Sequence, residues 1–337
     1  MTVELADNTR TVQATGSSSY TISLPKKWVD EHGIDAGMEL SFYPAHGGEL
    51  VIKPDRDSSE NSSEAERPRV DITELPPTDV RQVVTALYAT GSEAFVLVSE
   101  NGLGSEQRRA ASKAASGKTG LEVSRESETE LSLRMVIDTA AVSLERTVLQ
   151  LQYATLSIQR DVVSALVDGH LDNIDQIDRW HDDASRRFEV LDGQFRRALG
   201  DIRELDRLGQ SRRATFDRYT TARELLPVGE GFQRVADLLY DRSDIERVAW
   251  GDELDDCARR ARSLTEEAVD AVLTAERPPY DTVRDARTLS EDVAELHRRA
   301  DEETDSSYVW TLALVGLERS ATSASEIAER AVQASLR

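Results

Sequence analysis

The sequence predicts a multidomain, mainly α-helical protein, in which a long helical half follows two small units that contain β-strands. Apolar residues with a period of two mark short strands before residue 54, and spacings of four and three mark long helices from about residue 139. The predicted units are residues 1–54, a flexible acidic linker over 55–69, a small α/β sandwich over 70–138, and two three-helix bundles over 139–242 and 243–337.

The first unit reads as strand, helical turn, strand, turn, strand. Tyr20, Ile22 and Leu24 alternate with polar residues, which is the period of a half-buried strand. Pro25 stops this strand and suits the first position of a short helix, which Gly33 ends. Two further strands flank a turn at the Gly-Gly pair: they are Leu40–Tyr43 and Leu50–Pro54.

This order resembles the AbrB/MazE/SpoVT swapped-hairpin DNA-binding family over residues 8–54. The residues that carry the resemblance are Ser23-Leu24-Pro25-Lys26-Lys27, Gly33-Ile34, Gly37-Met38 and Val51-Ile52-Lys53-Pro54. The resemblance implies that two copies interlock into a dimeric barrel and place basic loops on DNA. It therefore implies a homodimer with DNA as partner. A small β domain that serves only for dimerisation is the alternative.

The cations of this unit are our candidates for contact with the DNA phosphate backbone: Arg10, Lys26, Lys27 and Lys53. Three hydroxyl side chains are candidates for contacts near the bases: Thr9, Ser17 and Ser18. Residues 1–54 carry seven carboxylates against these four cations. Bulk charge therefore cannot supply the affinity, and DNA binding must rest on geometry and base contacts.

The whole chain is strongly acidic, with a net charge of −22, and only five of its 41 basic residues are lysines. This composition is typical of a cytoplasm rich in salt, where carboxylates hold water and repulsion is screened. Cys257 is the single cysteine, so no internal disulfide can form, and no apolar run is long enough to span a membrane. We therefore expect a cytoplasmic protein.

The second unit should be a small α/β sandwich. A helix follows Pro76-Pro77 and presents Val80, Val83, Val84 and Leu87 on one face. Strands are predicted over 94–99, 120–124 and 131–137, with a helix over 104–116. No catalytic or binding chemistry is visible in this unit.

Six helices of 25–30 residues follow, and their apolar seams are those of antiparallel bundles. The tandem of three-helix halves resembles the PhoU family of phosphate-uptake regulators. The run Leu317–Glu329 in the sixth helix carries the resemblance, together with Ala222–Asp237 in the third. The resemblance implies a role in phosphate homeostasis and docking on a phosphate transporter or its sensor protein at the membrane surface.

Relatives in that family hold metal clusters with carboxylates spaced four apart on one helix face, and iron, zinc or magnesium accepts such ligands. The residues left for this role here are Glu230, Asp237, Glu318 and Glu329. The motif is degraded, because Thr322 and Ser323 replace the family's Asp and His, and Leu226-Pro227 replaces a Glu-Arg pair. Acidic residues on a solvated face are the alternative to a metal site.

Pro227, followed by Gly229 and Gly231, predicts a kink or a break in the third helix. The break would serve as a hinge or a ligand notch, and a tolerated irregularity is the alternative. Four arginine pairs alternate with acids and are predicted to form solvated, salt-bridged faces: Arg186-Arg187, Arg196-Arg197, Arg212-Arg213 and Arg259-Arg260.

No set of nucleophile, base and orienting residue can be argued from spacing, so we expect no enzyme. The sequence favours a DNA-binding regulator of phosphate uptake, whose helical body senses a ligand or docks on a partner. The alternative is a cytoplasmic adaptor that docks on a phosphate transporter or its sensor without contacting DNA.

Overall fold

The computed structural model describes residues 9–16, 19–45, 48–54, 67–136, 142–169, 174–240, 247–275, 277–302 and 308–336. The chain divides into two compact units, Met1–Glu66 and Arg67–Arg337. Short β hairpins, a small sheet and a mostly helical body follow one another along the chain, as the sequence predicts. The finer division into five segments stays a prediction.

The first unit contains two separate antiparallel hairpins and one short helix. Its elements are β1 (Gln13–Thr15), β2 (Ser19–Thr21), α1 (Lys26–Glu31), β3 (Leu40–Ala45) and β4 (Glu49–Pro54). β1 pairs with β2, and β3 pairs with β4. The predicted strand through Leu24 is too long, because Thr21 already pairs with Gln13, the first residue of β1.

The sequence determines both ends of α1. Pro25 takes the N-cap position with φ −62°, so the prediction of Pro25 as the first helical residue is off by one. Gly33 ends the helix with φ +61°. The amide of Ile34 donates to the carbonyl of Val29 at 2.9 Å, and the amide of Gly33 donates to Asp30. These two bonds form a Schellman motif, which satisfies the last helical carbonyls.

The second unit begins with a four-stranded sheet packed against two helices. Its elements are β5 (Arg69–Asp71), α2 (Pro77–Ala89), β6 (Ala94–Val98), α3 (Ser105–Ser116), β7 (Leu121–Glu126) and β8 (Glu130–Met135). The strand order is β5-β6-β8-β7, and only the β5–β6 pair is parallel. Strand β5 is missing from the prediction, which placed Arg69 in the linker, because three residues are too few to show a period.

Six long helices and one short helix complete the unit. They are α4 (Leu144–Asp168), α5 (Ile174–Gly200), α6 (Ile202–Arg207), α7 (Arg212–Leu239), α8 (Gly251–Thr274), α9 (Tyr280–Glu302) and α10 (Tyr308–Ser335). α4, α5 and α7 pack as one set of three, and α8, α9 and α10 as the other. The two sets meet where α7 packs on α10 and α4 packs on α8. No helix among the described residues has the length and apolar character needed to cross a bilayer.

The α/β layer of the second unit is joined to α5 by an ion pair and a cation–π contact. The ammonium group of Lys118 forms an ion pair with Glu189 and lies 5.6 Å from the ring centre of Tyr88. The hydroxyl of Tyr88 donates to the carbonyl of Thr119 at 3.1 Å. Burial, together with the negative charge of Glu189, raises the pKa of Tyr88 to about 12. These contacts keep Tyr88 neutral inside the junction.

Helix α7 is continuous through Pro227, so the predicted break is wrong, while the kink stays a prediction. Around Gly229 and Gly231, just after the proline, α7 packs closely on α4 and α10. A Cβ on Gly229 would lie 3.1 Å from a methyl carbon of Thr155 on α4, and a Cβ on Gly231 would lie 3.7 Å from the Cα of Gly316 on α10. The two glycines therefore permit close contact with neighbouring helices on both sides, which opposes a hinge.

Candidate nucleic-acid interface

The β3–β4 hairpin presents an apolar face that no described residue of its own unit covers. Phe42 faces Ile52 across the ladder, and Pro44 faces Leu50. Phe42 is 57% exposed and Leu50 is 56% exposed. None of the residues that the structure describes in the first unit is buried. A two-stranded hairpin is marginal by itself in water, so this face needs a partner surface.

The β1–β2 hairpin is equally open. Tyr20, opposite Ala14 in the register, is 78% exposed. The hydroxyl groups of Thr15 and Thr21 lie 2.6 Å apart and tie the two strands together beside the turn. A short, exposed arm of this kind can lie against another chain or against DNA.

Lys26 and Lys27 lie in the first turn of α1, and both are exposed. The ammonium group of Lys27 lies 3.9 Å from a carboxylate oxygen of Glu31, one turn later on the helix. Both groups of that pair are well exposed, so the attraction is weak and leaves Lys27 able to turn towards a phosphate. No acidic residue lies in the first turn of α1, so the helix end adds to the positive potential of the lysines.

The remaining nucleic-acid candidates are spread along the unit. The guanidinium of Arg10 donates to the carbonyl of Thr9 at 2.8 Å. Lys53 faces Ser41 across the β3–β4 ladder. Ser17 and Ser18 lie outside the described residues. The roles of all seven residues in DNA binding stay predictions.

The four carboxylates proposed as metal ligands do not share a site: three bind different side chains, and the fourth lies elsewhere on α7. Glu318 lies 2.7 Å from Nδ1 of His297, and Glu329 accepts from Arg287 at 2.7 Å. Asp237 accepts from Gln233 at 3.0 Å, while Glu230 lies half-buried two turns earlier on α7. Among the described residues, no group of three or more His, Cys, Asp or Glu side chains is arranged to hold a metal ion.

A cluster of polar groups at the junction of α7 and α10 includes Ser323, which stands where the metal motif has His. Ser323 is fully buried, and its hydroxyl donates to the carbonyl of Glu224 at 2.9 Å, one turn before Pro227. Arg319 forms an ion pair of 2.7 Å with the Glu224 carboxylate. Hydrogen bonding to Glu224, with partial burial, raises the pKa of Glu326. The only hint of this cluster in the sequence was the replacement of two expected metal ligands by Thr322 and Ser323.

Three of the four arginine pairs form salt bridges, as predicted, although Arg197 lies largely buried at the junction with Gly91 and not on a solvated face. Arg186 pairs with Asp182 and Arg187 with Asp183, Arg196 pairs with Asp192 and Arg197 with Glu204, and Arg259 and Arg260 pair with Asp255 and Asp292. Arg212 and Arg213 are the exception, because neither makes an ion pair within the described part of the chain. The prediction of a salt-bridged face is therefore wrong for this pair.

A family model described as MazE, a bacterial antitoxin of antidote–toxin recognition, matches residues 13–60. The match covers all four strands of the first unit and α1. No curated protein and no solved structure matches the chain. The first unit is thus a MazE-like domain, in agreement with the resemblance found in its sequence, while the resemblance of the helical half to PhoU repeats stays a prediction.

Proposed function

We propose that the protein is a DNA-binding regulator whose MazE-like domain pairs with that of a second copy. The observation that carries the proposal is the open state of this domain, in which no described side chain is buried and the β3–β4 hairpin exposes an apolar face. A second copy would cover that face and set two pairs of Lys26 and Lys27 at a fixed spacing. Fixed spacing then replaces bulk charge as the source of DNA affinity.

The helical body would decide when the paired domains bind. Its two sets of three long helices support a resemblance to phosphate-uptake regulators, and we propose phosphate homeostasis as the process. In this role the body senses a ligand or a partner and biases the placement of the paired domains on DNA. We propose a regulatory protein and not an enzyme.

Chromatin immunoprecipitation of the tagged protein in its host tests the process, and we expect enrichment upstream of phosphate-transport genes. The recovered fragments then serve as probes for the purified full chain. Replacing Lys26 and Lys27 together by Ala should abolish retention of these fragments in a fluorescence polarisation assay at high KCl, because both lysines are proposed to contact phosphates.

The matched control replaces Arg109 and Lys113 by Ala, since these two exposed cations lie one turn apart on α3 in the second unit. The control variant should bind as the wild type does. Unchanged binding by the lysine variant would refute the assignment of the MazE-like domain to DNA.

An adaptor that docks on a phosphate transporter or its sensor is the second candidate. The excess of carboxylates over cations in residues 1–54 favours it, because the domain then needs only to dimerise. Pull-down of transporter or sensor subunits by the full chain, with no enrichment of any promoter in the immunoprecipitate, would support the adaptor and exclude the regulator.

A further inference from the structure

One segment of the helical body reverses the charge of the chain. Residues 193–223, which include the end of α5, all of α6 and the first half of α7, contain eight arginines and four carboxylates. The segment is therefore positive in a chain whose net charge is −22. A positive region in such an acidic molecule is the natural position for an anionic partner.

Several of these arginines are already neutralised. Arg203 pairs with Asp201 at 2.6 Å, and Arg207 pairs with Glu204 at 2.8 Å. The charge that remains available comes from Arg212, Arg213 and Arg223, which are all exposed. We call these three residues the arginine surface.

The helix end makes this surface more positive. Arg212 and Arg213 are the first two residues of α7, whose first turn contains no acidic side chain. Cations at a helix N-terminus oppose the helix dipole, so both arginines lower the stability of the folded chain slightly. Neither forms an ion pair with a described residue that would offset this cost. Such a placement is expected where the partner lies outside the chain.

Two members of the arginine surface, Arg212 and Arg223, share one stripe of α7, and Arg213 lies about 100° around the helix from Arg212. Arg212, Phe216, Tyr219 and Arg223 are separated by four, three and four residues, so they lie on one helix face over about 16 Å. The Arg223 guanidinium lies 6.0 Å from the ring centre of Tyr219, whose ring stacks on Phe195 at 3.9 Å.

This packing bears on the kind of partner. Phe195 and Arg223 both lie against Tyr219, so the ring is not free to stack on a base. A guanidinium that lies over a ring directs its N–H groups sideways, where they can form paired hydrogen bonds to a phosphate. The planar guanidinium suits the paired oxygens of a phosphate, and three exposed arginines with no ion pair among the described residues can each take one phosphate of a nucleic-acid backbone.

We propose that the arginine surface binds the phosphate backbone of duplex DNA without reading its sequence. The inference rests on the proposed function, since it adds a non-specific contact in the helical body to a DNA-binding protein. It also supplies counterion release, which the acidic MazE-like domain lacks.

The experiment measures binding of the full chain to a labelled duplex of arbitrary sequence across a KCl titration, by fluorescence polarisation. The variant replaces Arg212, Arg213 and Arg223 together by Gln, which keeps most of each side-chain stem. We expect weaker binding to every duplex tested. The slope of log K against log[salt] should be smaller in magnitude by about 0.9 for each phosphate that an arginine no longer neutralises, or about 2.7 for three.

Two further variants separate this inference from the proposed function. Arg259 and Arg260, whose side chains are held by Asp255 and Asp292, are replaced by Gln as the matched control, and the slope should not change. At low KCl, where binding to an arbitrary duplex persists without Lys26 and Lys27, replacing these two lysines by Ala should leave the effect of the arginine variant intact. Circular dichroism of each variant verifies folding.

The outcomes are distinct. An unchanged slope in the arginine variant, while the lysine variant loses binding, overturns the arginine surface and leaves the proposed function standing. A reduced slope in the arginine variant, with no effect of the lysine variant, supports the surface and overturns the MazE-like domain as a DNA contact. Binding of an acidic polypeptide such as polyglutamate in preference to the duplex overturns the choice of DNA.

Discussion

Gly91, in the turn after α2, lies against the backbone of Gly193 on α5, so that a Cβ on Gly91 would be 2.8 Å from the carbonyl oxygen of Gly193. The carbonyl of Gly91 also accepts from Arg197 at 3.3 Å, and Gly91 has φ +79°. The backbones of the two segments are thus in direct contact where the α/β layer packs on the helical body. Because the contact is between backbone atoms, a side-chain rotation cannot relieve a clash there.

Replacing Gly91 by Ala should lower the free energy of unfolding by about 2–4 kcal/mol, because the positive φ and the backbone clash add. Gly209 is the matched control, since it has φ +61° and nothing within 4 Å of its added Cβ. Its Ala variant should lose only the conformational part, about 1 kcal/mol. Chemical denaturation of both variants measures the difference, and equal losses would contradict the close approach of the two backbones.

Replacing Ser323 by Ala should lower the free energy of unfolding by about 0.5–1.5 kcal/mol, because the hydrogen bond from the buried Ser323 hydroxyl to the carbonyl of Glu224 is lost. Thr322 is the control, since its side chain is exposed and bonds only to Glu318 of its own helix. The Thr322→Ala variant should stay within about 0.5 kcal/mol of the wild type. A thermal scan that ranks the two variants in the opposite order would remove the role assigned to Ser323.

Glu326 should make the stability of the chain fall as the pH rises. Hydrogen bonding to Glu224 raises the pKa of Glu326 above its ordinary value of 4.5. Between the ordinary and the raised value the folded chain binds more protons than the unfolded chain, so its stability is full below this window and declines through it. The pKa of Glu326 is raised because its carboxyl group lies close to that of Glu224. Ionising Glu326 beside the Glu224 carboxylate breaks their hydrogen bond and brings two negative charges together.

The Glu326→Gln variant should therefore melt at a higher temperature than the wild type above this window and at nearly the same temperature below it. The gain should be about 1 kcal/mol or less, since Glu326 is exposed and water screens the repulsion. Glu329→Gln is the control: it removes the ion pair with Arg287, so it should produce no gain at any pH. Melting temperatures measured as a function of pH decide between these outcomes.

Replacing Phe42 by Asp should shift the proposed dimer towards a monomer of 37.4 kDa, because a charge would be placed in the apolar face of the β3–β4 hairpin. Tyr280 in the helical body is the control, since its exposed fraction of 58% matches the 57% of Phe42. Light scattering over a range of protein concentrations measures the change. A molar mass of Phe42→Asp that follows the wild type throughout would exclude pairing through this face.

The local patterns of the sequence predict most of the elements. Apolar spacings of four and three identify the long helices because a helix repeats its buried face every few residues whatever it packs against. α6, β1 and β5 are missing from the prediction because each spans too few residues to show a period. The MazE-like domain is recognisable because the order of strand, Pro25, lysines and Gly33 is itself local information.

The sequence by itself therefore determined the kinds of element, the acidic character of the chain and the class of its first domain. Only the tertiary structure decided what the irregular residues do. Pro227 remains inside a helix that packs closely on α4 at Gly229, and Ser323, 99 residues from Glu224 along the chain, binds the carbonyl of Glu224 in the turn before the proline. The tertiary structure also decides some of the charge pairing: Arg260 meets Asp292 only because two helices lie side by side, and Arg212 and Arg213 meet no carboxylate among the described residues.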